Sequence, residues 1–162
     1  MDENSKPNLK ISSNYAIHKL LAEYHVKKSA ENWIILRPTG FFGPGLKKNL
    51  LFDLRRKKQT IYYTLDSFFD FMPIELFCEM VTKLSRNSNR EIVNIGSGAT
   101  VALKELINPS SNIIKISKEA RFVDDRGFDL SKLKNLYSPM PTKKDIHDQL
   151  MTFIYGQALD NE

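Results

Sequence analysis

Residues 12–23, SSNYAIHKLLAE, open a predicted helix over Asn14–Ala30. The apolar residues of this helix have the i, i+3, i+4, i+7 spacing of a single face, which we expect to be buried. They are Ile17, Leu20, Leu21 and Tyr24. Ser12 and Ser13 precede the helix, and a serine hydroxyl at such a position accepts a hydrogen bond from the free N–H groups of the first turn.

Downstream of this helix, apolar runs alternate with helical patterns, which is the order of an α/β protein. Trp33–Leu36 is an unbroken apolar run, as in a parallel strand that is covered on both faces. Pro38–Gly45 is predicted to be a loop because it is rich in proline and glycine. The other predicted strands are Ile61–Thr64, Phe68–Phe71, Glu91–Ile95 and Asn112–Ile116. The other predicted helices are about 48–58, Pro73–Leu84, Thr100–Ile107 and a last one opened by a capping box of Thr142 and Asp145.

Composition narrows the class of protein. The chain has 162 residues, of which 41% are hydrophobic and 27% charged, as in a globular protein. No run approaches the ~20 apolar residues of a membrane span, and the first ten residues lack the apolar segment of a secretory signal. Cys78 is the single cysteine, which excludes an internal disulfide and a cysteine-based zinc site. The three histidines lack metal-ligand spacing, so we expect no metal site. The composition as a whole leads us to expect a cytoplasmic protein without a membrane partner.

The net charge of +5 raises the question of a nucleic-acid ligand. Lysines and arginines gather at residues 47–48, 55–58 and 143–144. They could form a nucleic-acid patch, or they could belong to solvated helix faces that attract a small anion. No stacking aromatic motif of the RNA-binding kind accompanies them. We therefore favour the second interpretation and expect no nucleic-acid partner.

A candidate catalytic pair lies on the first helix. Tyr15 and Lys19 stand four residues apart, so their side chains project from the same face. A tyrosine hydroxyl with a pKa of about 10 exchanges protons poorly at neutral pH, and a neighbouring ammonium favours the phenolate. Such a pair can move a proton while hydride leaves or reaches the adjacent carbon. Tyr24 and Lys28 have the same spacing, but we interpret them as a half-buried tyrosine beside a solvated lysine.

Five segments carry a family resemblance when they are taken in order. They are residues 12–23, SSNYAIHKLLAE; residues 35–45, ILRPTGFFGPG; residues 69–75, FDFMPIE; residues 93–98, VNIGSG; and residues 128–132, FDLSK. They resemble the catalytic helix, the strand and substrate loop after it, a strand leading into a helix, and the YNIGSG and DISK segments of the extended short-chain dehydrogenases/reductases. This is the family of sugar-nucleotide epimerases and dehydratases. The resemblance runs from about residue 12 to the C-terminus.

The resemblance implies an α/β fold, namely the C-terminal part of a Rossmann-type doubly wound parallel sheet together with the small α/β substrate-binding domain. Residues 1–12 would be a polar lead-in. Residues 13–45 would be the last part of the Rossmann domain with the catalytic helix, and residues 46–162 the substrate-binding region, partly interleaved with it. The family's G-x-x-G-x-x-G fingerprint should lie far upstream of the tyrosine, and no glycine cluster of this sequence has that spacing. We therefore expect a truncated chain that lacks the cofactor-binding front half.

The resemblance also implies roles for single residues toward the cofactor, NAD or NADP. Tyr15 would be the general acid/base, and Lys19 would hold the nicotinamide ribose. The backbone of Pro38, Thr39 and Gly40 would pass near the nicotinamide carboxamide. Isomerase, lyase and oxidoreductase chemistry all occur in the family, so the type of reaction stays open.

A nucleotide-linked sugar is the substrate that the resemblance implies. The residues expected to contact it are Phe41, Gly43, Gly45, Arg121 and Arg126. Two positions depart from the family pattern: Gly40 stands where many members have a substrate-contacting asparagine, and Phe69 where many have an arginine for the pyrophosphate. Arg121 and Arg126 lie near another phosphate-binding position, although both are equally compatible with exposed surface arginines.

Two hypotheses about function follow. The first is an NAD(P)-dependent epimerase, dehydratase or reductase that is inactive as this chain alone and does not bind the cofactor by itself. The second is a non-catalytic remnant or interaction module that keeps the substrate-domain scaffold. In either case we expect self-association, or pairing with an N-terminal half from another chain, because the strand at residues 33–36 lacks cover.

Overall fold

The computed structural model describes residues 2–5, 13–87, 89–107 and 114–156. Within these ranges, six α-helices and eight strands alternate, as predicted. The helices are α1 (Asn14–Ser29), α2 (Leu50–Arg55), α3 (Ile74–Asn87), α4 (Leu103–Leu106), α5 (Ser131–Leu136) and α6 (Lys143–Tyr155). The strands are β1 (Ile34–Pro38), β2 (Gly40–Phe42), β3 (Thr60–Tyr63), β4 (Phe68–Phe69), β5 (Phe71–Pro73), β6 (Glu91–Ile95), β7 (Val101–Ala102) and β8 (Lys115–Arg121).

The strands of the described residues pair two by two, and three of the four pairs are parallel. β1 pairs with β6 from Ile34, opposite Glu91, to Pro38, opposite Ile95. β2 pairs with β5 and β3 with β8, both in parallel, whereas β4 and β7 are antiparallel. A parallel pair needs a crossover connection, and α3 lies in the one between β1 and β6. None of the helices in the described ranges is long and apolar enough to cross a membrane.

Two hydrophobic clusters form the core. The first joins α2, α4 and α6 to β3 and β7, and the second packs α3 and α5 against β6. Phe41 and Phe42, which are neighbours on β2, belong to different clusters, as do Phe71 and Met72 on β5. Since successive side chains of a strand point to opposite faces, β2 and β5 lie between the two clusters. The division of the chain after residue 45 stays a prediction.

The first helix begins as predicted, but its apolar face is not buried. The Ser13 hydroxyl accepts a hydrogen bond from the Ala16 N–H at 3.3 Å, while Ser12 lies outside the described residues. The predicted burial is wrong: no residue of α1 is buried, and Leu21 and Tyr24 expose 51% and 56% of their surface. The periodicity marks a helix correctly, yet the other described segments cover this face only in part.

A bidentate ion pair attaches α1 to the sheet. Arg37 on β1 donates from Nε to Glu23 Oε1 at 2.7 Å and from its terminal nitrogen to Glu23 Oε2 at 2.8 Å. The Glu23 carboxylate raises the pKa of Arg37. Because such paired hydrogen bonds define direction as well as distance, they fix the Arg37 guanidinium against Glu23 and join α1 to β1.

Several predicted elements differ from the structure in type or extent. The predicted loop at residues 38–45 contains strand β2, because Gly40–Phe42 pairs with β5. Pro73 ends β5 instead of opening α3. Cys78, the single cysteine, lies on α3 and is exposed. The helix predicted at about 48–58 is shorter in the structure, where α2 spans Leu50–Arg55. It begins after Asn49, whose side chain accepts the Phe52 N–H at 3.0 Å.

For the C-terminal elements, one prediction is wrong and one predicted helix cap is confirmed. Thr100 does not open a helix, because Val101 and Ala102 pair with β4. The predicted strand over residues 112–116 is β8, which begins at Lys115; residues 112–113 lie outside the described ranges. The capping box of α6 is confirmed: Thr142 Oγ1 accepts from the Asp145 N–H at 3.1 Å, and Asp145 Oδ2 accepts from the Thr142 N–H at 3.2 Å.

Candidate functional site

Tyr15 and Lys19 lie one turn apart on the exposed surface of α1. The Lys19 Nζ is 5.4 Å from the centroid of the Tyr15 ring, and Tyr15 is 70% exposed. Neither side chain forms a hydrogen bond or an ion pair with another residue of the described part of the chain. Tyr24 and Lys28 have nearly the same arrangement, at 5.9 Å, and Tyr24 is exposed instead of half-buried. The local geometry of the two pairs is therefore alike.

The main chain of residues 38–40, which is expected to contact the nicotinamide, is hydrogen-bonded to other residues of the fold. The Thr39 N–H donates to Ile95 O at 2.9 Å, and the Gly40 N–H donates to Asp70 O at 3.2 Å. The Thr39 hydroxyl donates to Asp70 Oδ1 at 3.3 Å. Pro38 has no N–H. This segment therefore has no main-chain donor left for a ligand.

A buried carboxylate to which sequence reasoning assigned no role lies beside this segment. Asp70 is 2% exposed, and its Oδ1 accepts from both the N–H and the hydroxyl of Ser97 at 2.8 Å. Its Oδ2 accepts from the Gly98 N–H at 2.8 Å. Gly98 has a φ of 72°, in the left-handed region that lets successive N–H groups converge on one anion. Within the described ranges Asp70 has no cationic partner, so these donors and the Thr39 hydroxyl satisfy it.

The two positions that depart from the family pattern belong to one aromatic cluster. A Cβ at Gly40 would lie 2.5 Å from Phe71 Cδ1. The Phe71 ring stacks on Phe69 with centroids 5.4 Å apart, and Tyr63 packs edge-on against Phe69 at 5.2 Å. Phe69 and Phe71 are both buried. The position at which the resemblance places a pyrophosphate-binding arginine is therefore part of the core.

The expected substrate loop is shaped by packing as well. Phe41 packs against Phe77 in the second cluster, with ring centroids 4.7 Å apart and ring planes tilted by 52°. A Cβ at Gly43 would lie 2.5 Å from Ile74 Cγ2, whereas one at Gly45 would meet nothing within 4 Å. Gly43 therefore lets the loop approach α3 closely, and Phe41 contributes to the core.

Arg121 and Arg126, the two expected phosphate contacts, are exposed and already have partners. Arg121 donates to the Tyr63 hydroxyl at 2.9 Å. Arg126 donates to the two carboxylate oxygens of Asp124 at 2.7 and 2.6 Å, and its guanidinium lies 3.8 Å from the Phe68 ring centroid. The hydrogen bond from Arg126 lowers the pKa of Asp124. An incoming phosphate would compete with this carboxylate for Arg126.

An open cavity of about 400 Å³ lies beside the turn that carries Arg126. Its polar lining includes Asp125, Arg126, Asp129, Ser131 and Lys134. Burial raises the pKa of Asp125, whose Oδ2 accepts from the Asp70 N–H at 3.0 Å. Among the described residues, no three histidine, cysteine, aspartate or glutamate side chains come together as a metal ion would require. The lining of the cavity thus carries both acidic and basic side chains.

Comparison with known proteins identifies the fold. No protein-family model matches the sequence, and no curated protein does. Solved structures match it closely in shape. A UDP-N-acetylglucosamine 4-epimerase from Methanobrevibacter ruminantium, in complex with UDP-N-acetylmuramic acid, aligns with a TM-score of 0.68 and 15% identity over 93% of this chain and 58% of that one.

Two further structures give the same result. RMD from Pseudomonas aeruginosa, in complex with NADPH, aligns with a TM-score of 0.71 and 16% identity over 97% of this chain and 60% of that one. A dTDP-glucose 4,6-dehydratase from Bacillus anthracis, in complex with NAD, aligns with a TM-score of 0.67 and 14% identity over 96% of this chain and 56% of that one. This chain therefore spans 56 to 60% of the length of these neighbours.

These likenesses define the class of fold. The chain has the α/β fold of the C-terminal part of Rossmann-type epimerases and dehydratases, so the predicted fold class is confirmed. The resemblance carried by the five sequence segments points to the same group of structures and is confirmed at the level of the fold.

Proposed function

We propose that this chain provides the catalytic helix and the substrate side of an NAD(P)-dependent epimerase, dehydratase or reductase acting on a nucleotide-linked sugar. The observation that carries the proposal is the Tyr15–Lys19 pair, exposed on α1 with the ammonium 5.4 Å from the ring centroid, in a fold shared with such enzymes. The neighbours solved with NADPH, with NAD and with a UDP-linked sugar support the cofactor and substrate classes.

Tyr15 moves the proton in this proposal. The nicotinamide supplies the site that accepts or returns hydride when it is bound. The Tyr15 phenolate takes a proton from the sugar hydroxyl as the carbon that bears this hydroxyl is oxidised, and the phenol so formed returns the proton when the carbon is reduced. Lys19 places a positive charge beside the tyrosine ring, and its ammonium keeps its donors available for ribose hydroxyls.

The residues expected to hold the cofactor fit it in part. Lys19 fits, because its ammonium has no hydrogen-bonded partner among the residues described. Residues 38–40 do not fit as donors to a carboxamide, because the N–H groups of Thr39 and Gly40 are bound to Ile95 and Asp70. Hydrogen bonds donated to the carboxamide would therefore come from other residues.

A non-catalytic scaffold is the second candidate, and specific observations favour it. Phe69 lies in the core where a phosphate-binding arginine is expected, and the Phe71 ring fills the space beside Gly40. Arg126 is paired with Asp124. Each feature preserves the packing of the fold while removing a polar contact to a nucleotide-linked sugar.

Complementation with a cofactor-binding half distinguishes the two candidates. The dinucleotide-binding part of the Bacillus anthracis dehydratase is joined ahead of α1, and NAD binding is measured first. The hybrid is then incubated with UDP- and dTDP-linked hexoses, and products are separated by chromatography while NADH absorbance is followed. Conversion that is lost on Tyr15→Phe supports the enzyme. A hybrid that binds NAD and converts none of the sugars supports the scaffold.

A further inference from the structure

Asp70 lies where the cofactor side and the substrate side of the candidate site meet. We propose that it is the positioning residue of the site: it holds Thr39 and Gly40 on one side and the turn before Arg126 on the other. This inference rests on the proposed function for the roles of those residues. The contacts of Asp70 themselves are independent of any ligand.

The carboxylate joins the ends of β1 and β6. Its Oδ1 accepts from Thr39 just after β1 and from Ser97 just after β6, and its Oδ2 accepts from Gly98. A Cβ at Gly96 would lie 3.0 Å from Asp70 Oδ2 and 3.2 Å from Thr39 Cγ2, so this turn packs directly on both residues. The turn at residues 96–98 therefore acts as an anchor for the carboxylate, and the carboxylate anchors the segment at residues 38–40.

The main chain of Asp70 makes the connection to the substrate side. Its carbonyl accepts from the Gly40 N–H at 3.2 Å, and its N–H donates to Asp125 Oδ2 at 3.0 Å. Asp125 directly precedes Arg126, whose guanidinium projects over Phe68. A shift of Asp70 would thus displace both Gly40 and the turn that carries Arg126.

Only a carboxylate satisfies this arrangement. Every group that faces the two side-chain oxygens is a donor, and the Ser97 and Gly98 N–H groups cannot act as acceptors. An asparagine would place its NH₂ against one of these N–H groups and remove the hydrogen bond that this donor makes to Asp70. Asp70 forms no ion pair with a described residue. The site therefore requires two acceptor oxygens in this geometry, and no cation among these residues depends on the charge of the carboxylate.

Hydrogen exchange and amide chemical shifts of the full ¹⁵N-labelled chain test the proposal. Asp70→Asn should speed exchange of the Gly98 and Gly40 amides by about 10- to 100-fold, the scale of losing a hydrogen bond to a charged group. It should also shift the Arg126 amide resonance. Asp66→Asn is the matched control, because this exposed carboxylate pairs only loosely with Lys104, at 3.6 Å.

A second variant keeps the proposal testable if Asp70→Asn does not fold. Thr39→Val removes one donor and leaves the carboxylate in place, so it should speed exchange at Gly40 while leaving Gly98 unchanged. Faster exchange at Gly98 alone in Asp70→Asn, with Gly40 and Arg126 unaffected, would overturn the proposal, since Asp70 would then stabilise only its own turn. An unchanged Gly40 in Thr39→Val would overturn it as well.

The hybrid enzyme gives a functional readout that a purely structural role would not produce. There, Asp70→Asn should lower kcat by about tenfold or more with a smaller change in KM, because misplacement affects the reacting geometry more than substrate capture. Equal kcat in both proteins would contradict positioning. A hybrid inactive with the unsubstituted chain would instead remove the proposed function, and the exchange data would still decide the role of Asp70.

Discussion

The ring of Phe71 occupies the space that any side chain at Gly40 would need. A Cβ at residue 40 would lie 2.5 Å from Phe71 Cδ1 and 2.6 Å from Cε1. The two residues are register partners in the β2–β5 pair. Phe71 is 5% exposed and stacks on Phe69, so its ring has little room to move aside. The asparagine that the family pattern places at this position is therefore incompatible with the aromatic cluster.

We expect Gly40→Ala to lower the free energy of unfolding by about 1–3 kcal/mol, the usual cost of overpacking a core. Urea denaturation of the two proteins measures it. Gly127→Ala is the matched control, because a Cβ there would meet nothing within 4 Å. Phe71→Leu should recover part of the loss when it is combined with Gly40→Ala. An equal effect of the two glycine substitutions would show that the Phe71 ring yields freely.

Tyr15→Phe should reduce turnover of the hybrid enzyme by roughly 10²–10⁴-fold, the scale of general acid–base catalysis. Tyr24→Phe is the control with the same spacing to a lysine and a similar lysine–ring distance. It should leave turnover within a small factor, because the proposed catalytic role belongs to Tyr15 and not to Tyr24. Steady-state kinetics of both variants measure the two turnover numbers. Equal losses would contradict the assignment of the acid/base role to Tyr15.

The 162-residue chain should not bind NAD(H) or NADP(H) with useful affinity. Its sequence has no G-x-x-G-x-x-G turn to direct N–H groups at a pyrophosphate. The N–H groups of Thr39 and Gly40 are also bound within the fold. Calorimetric titration of each cofactor into the chain measures this. A dissociation constant near micromolar for either cofactor would contradict the expectation.

The chain alone should self-associate through α1 and β1. No residue of α1 is buried, and β1 pairs only with β6 among the described strands. Exposed apolar side chains and an unpaired strand edge both favour association. Light scattering over a concentration series measures it, with Leu21→Glu as a variant that should raise the concentration required. A monomer mass at every concentration, with a melt that does not depend on concentration, would contradict this prediction.

Tyr137 should make the stability of the chain fall at high pH. Burial, together with the hydrogen bond to Glu79 at 2.7 Å, raises its pKa from 10.0 to about 12. Because the pKa is higher in the folded state, the stabilising contribution is complete below pH 10.0 and is lost as the pH rises toward about 12.

Denaturation of the unsubstituted chain and of Tyr137→Phe at several pH values tests this. The difference in unfolding free energy between the two proteins should shrink over that interval. Tyr62→Phe, at an exposed position, serves as the control and should follow the unsubstituted chain. A constant difference between the unsubstituted chain and Tyr137→Phe would show that Tyr137 ionises equally in the folded and unfolded states.

Interactions between near neighbours in the sequence were sufficient to predict much of the fold. The cap formed by Thr142 and Asp145 is made within a single turn, and the strand Glu91–Ile95 has the predicted bounds. The i, i+4 relation of Tyr15 and Lys19 is likewise a property of any helix. The order of strands and helices, and with it the fold class, follows from such local patterns because each reports on the conformation of one short segment.

The surfaces that pack against one another could not be predicted from these local patterns. The hydrogen bonds that Asp70 accepts from Thr39 and Ser97 join segments far apart in sequence, and no periodicity indicates them. The apolar face of α1 was expected to be buried, yet its period says only that residues share a face and not what covers it. Gly40 and Phe69 depart from the family pattern for a reason visible only in space, because the ring of Phe71 packs against both positions at once.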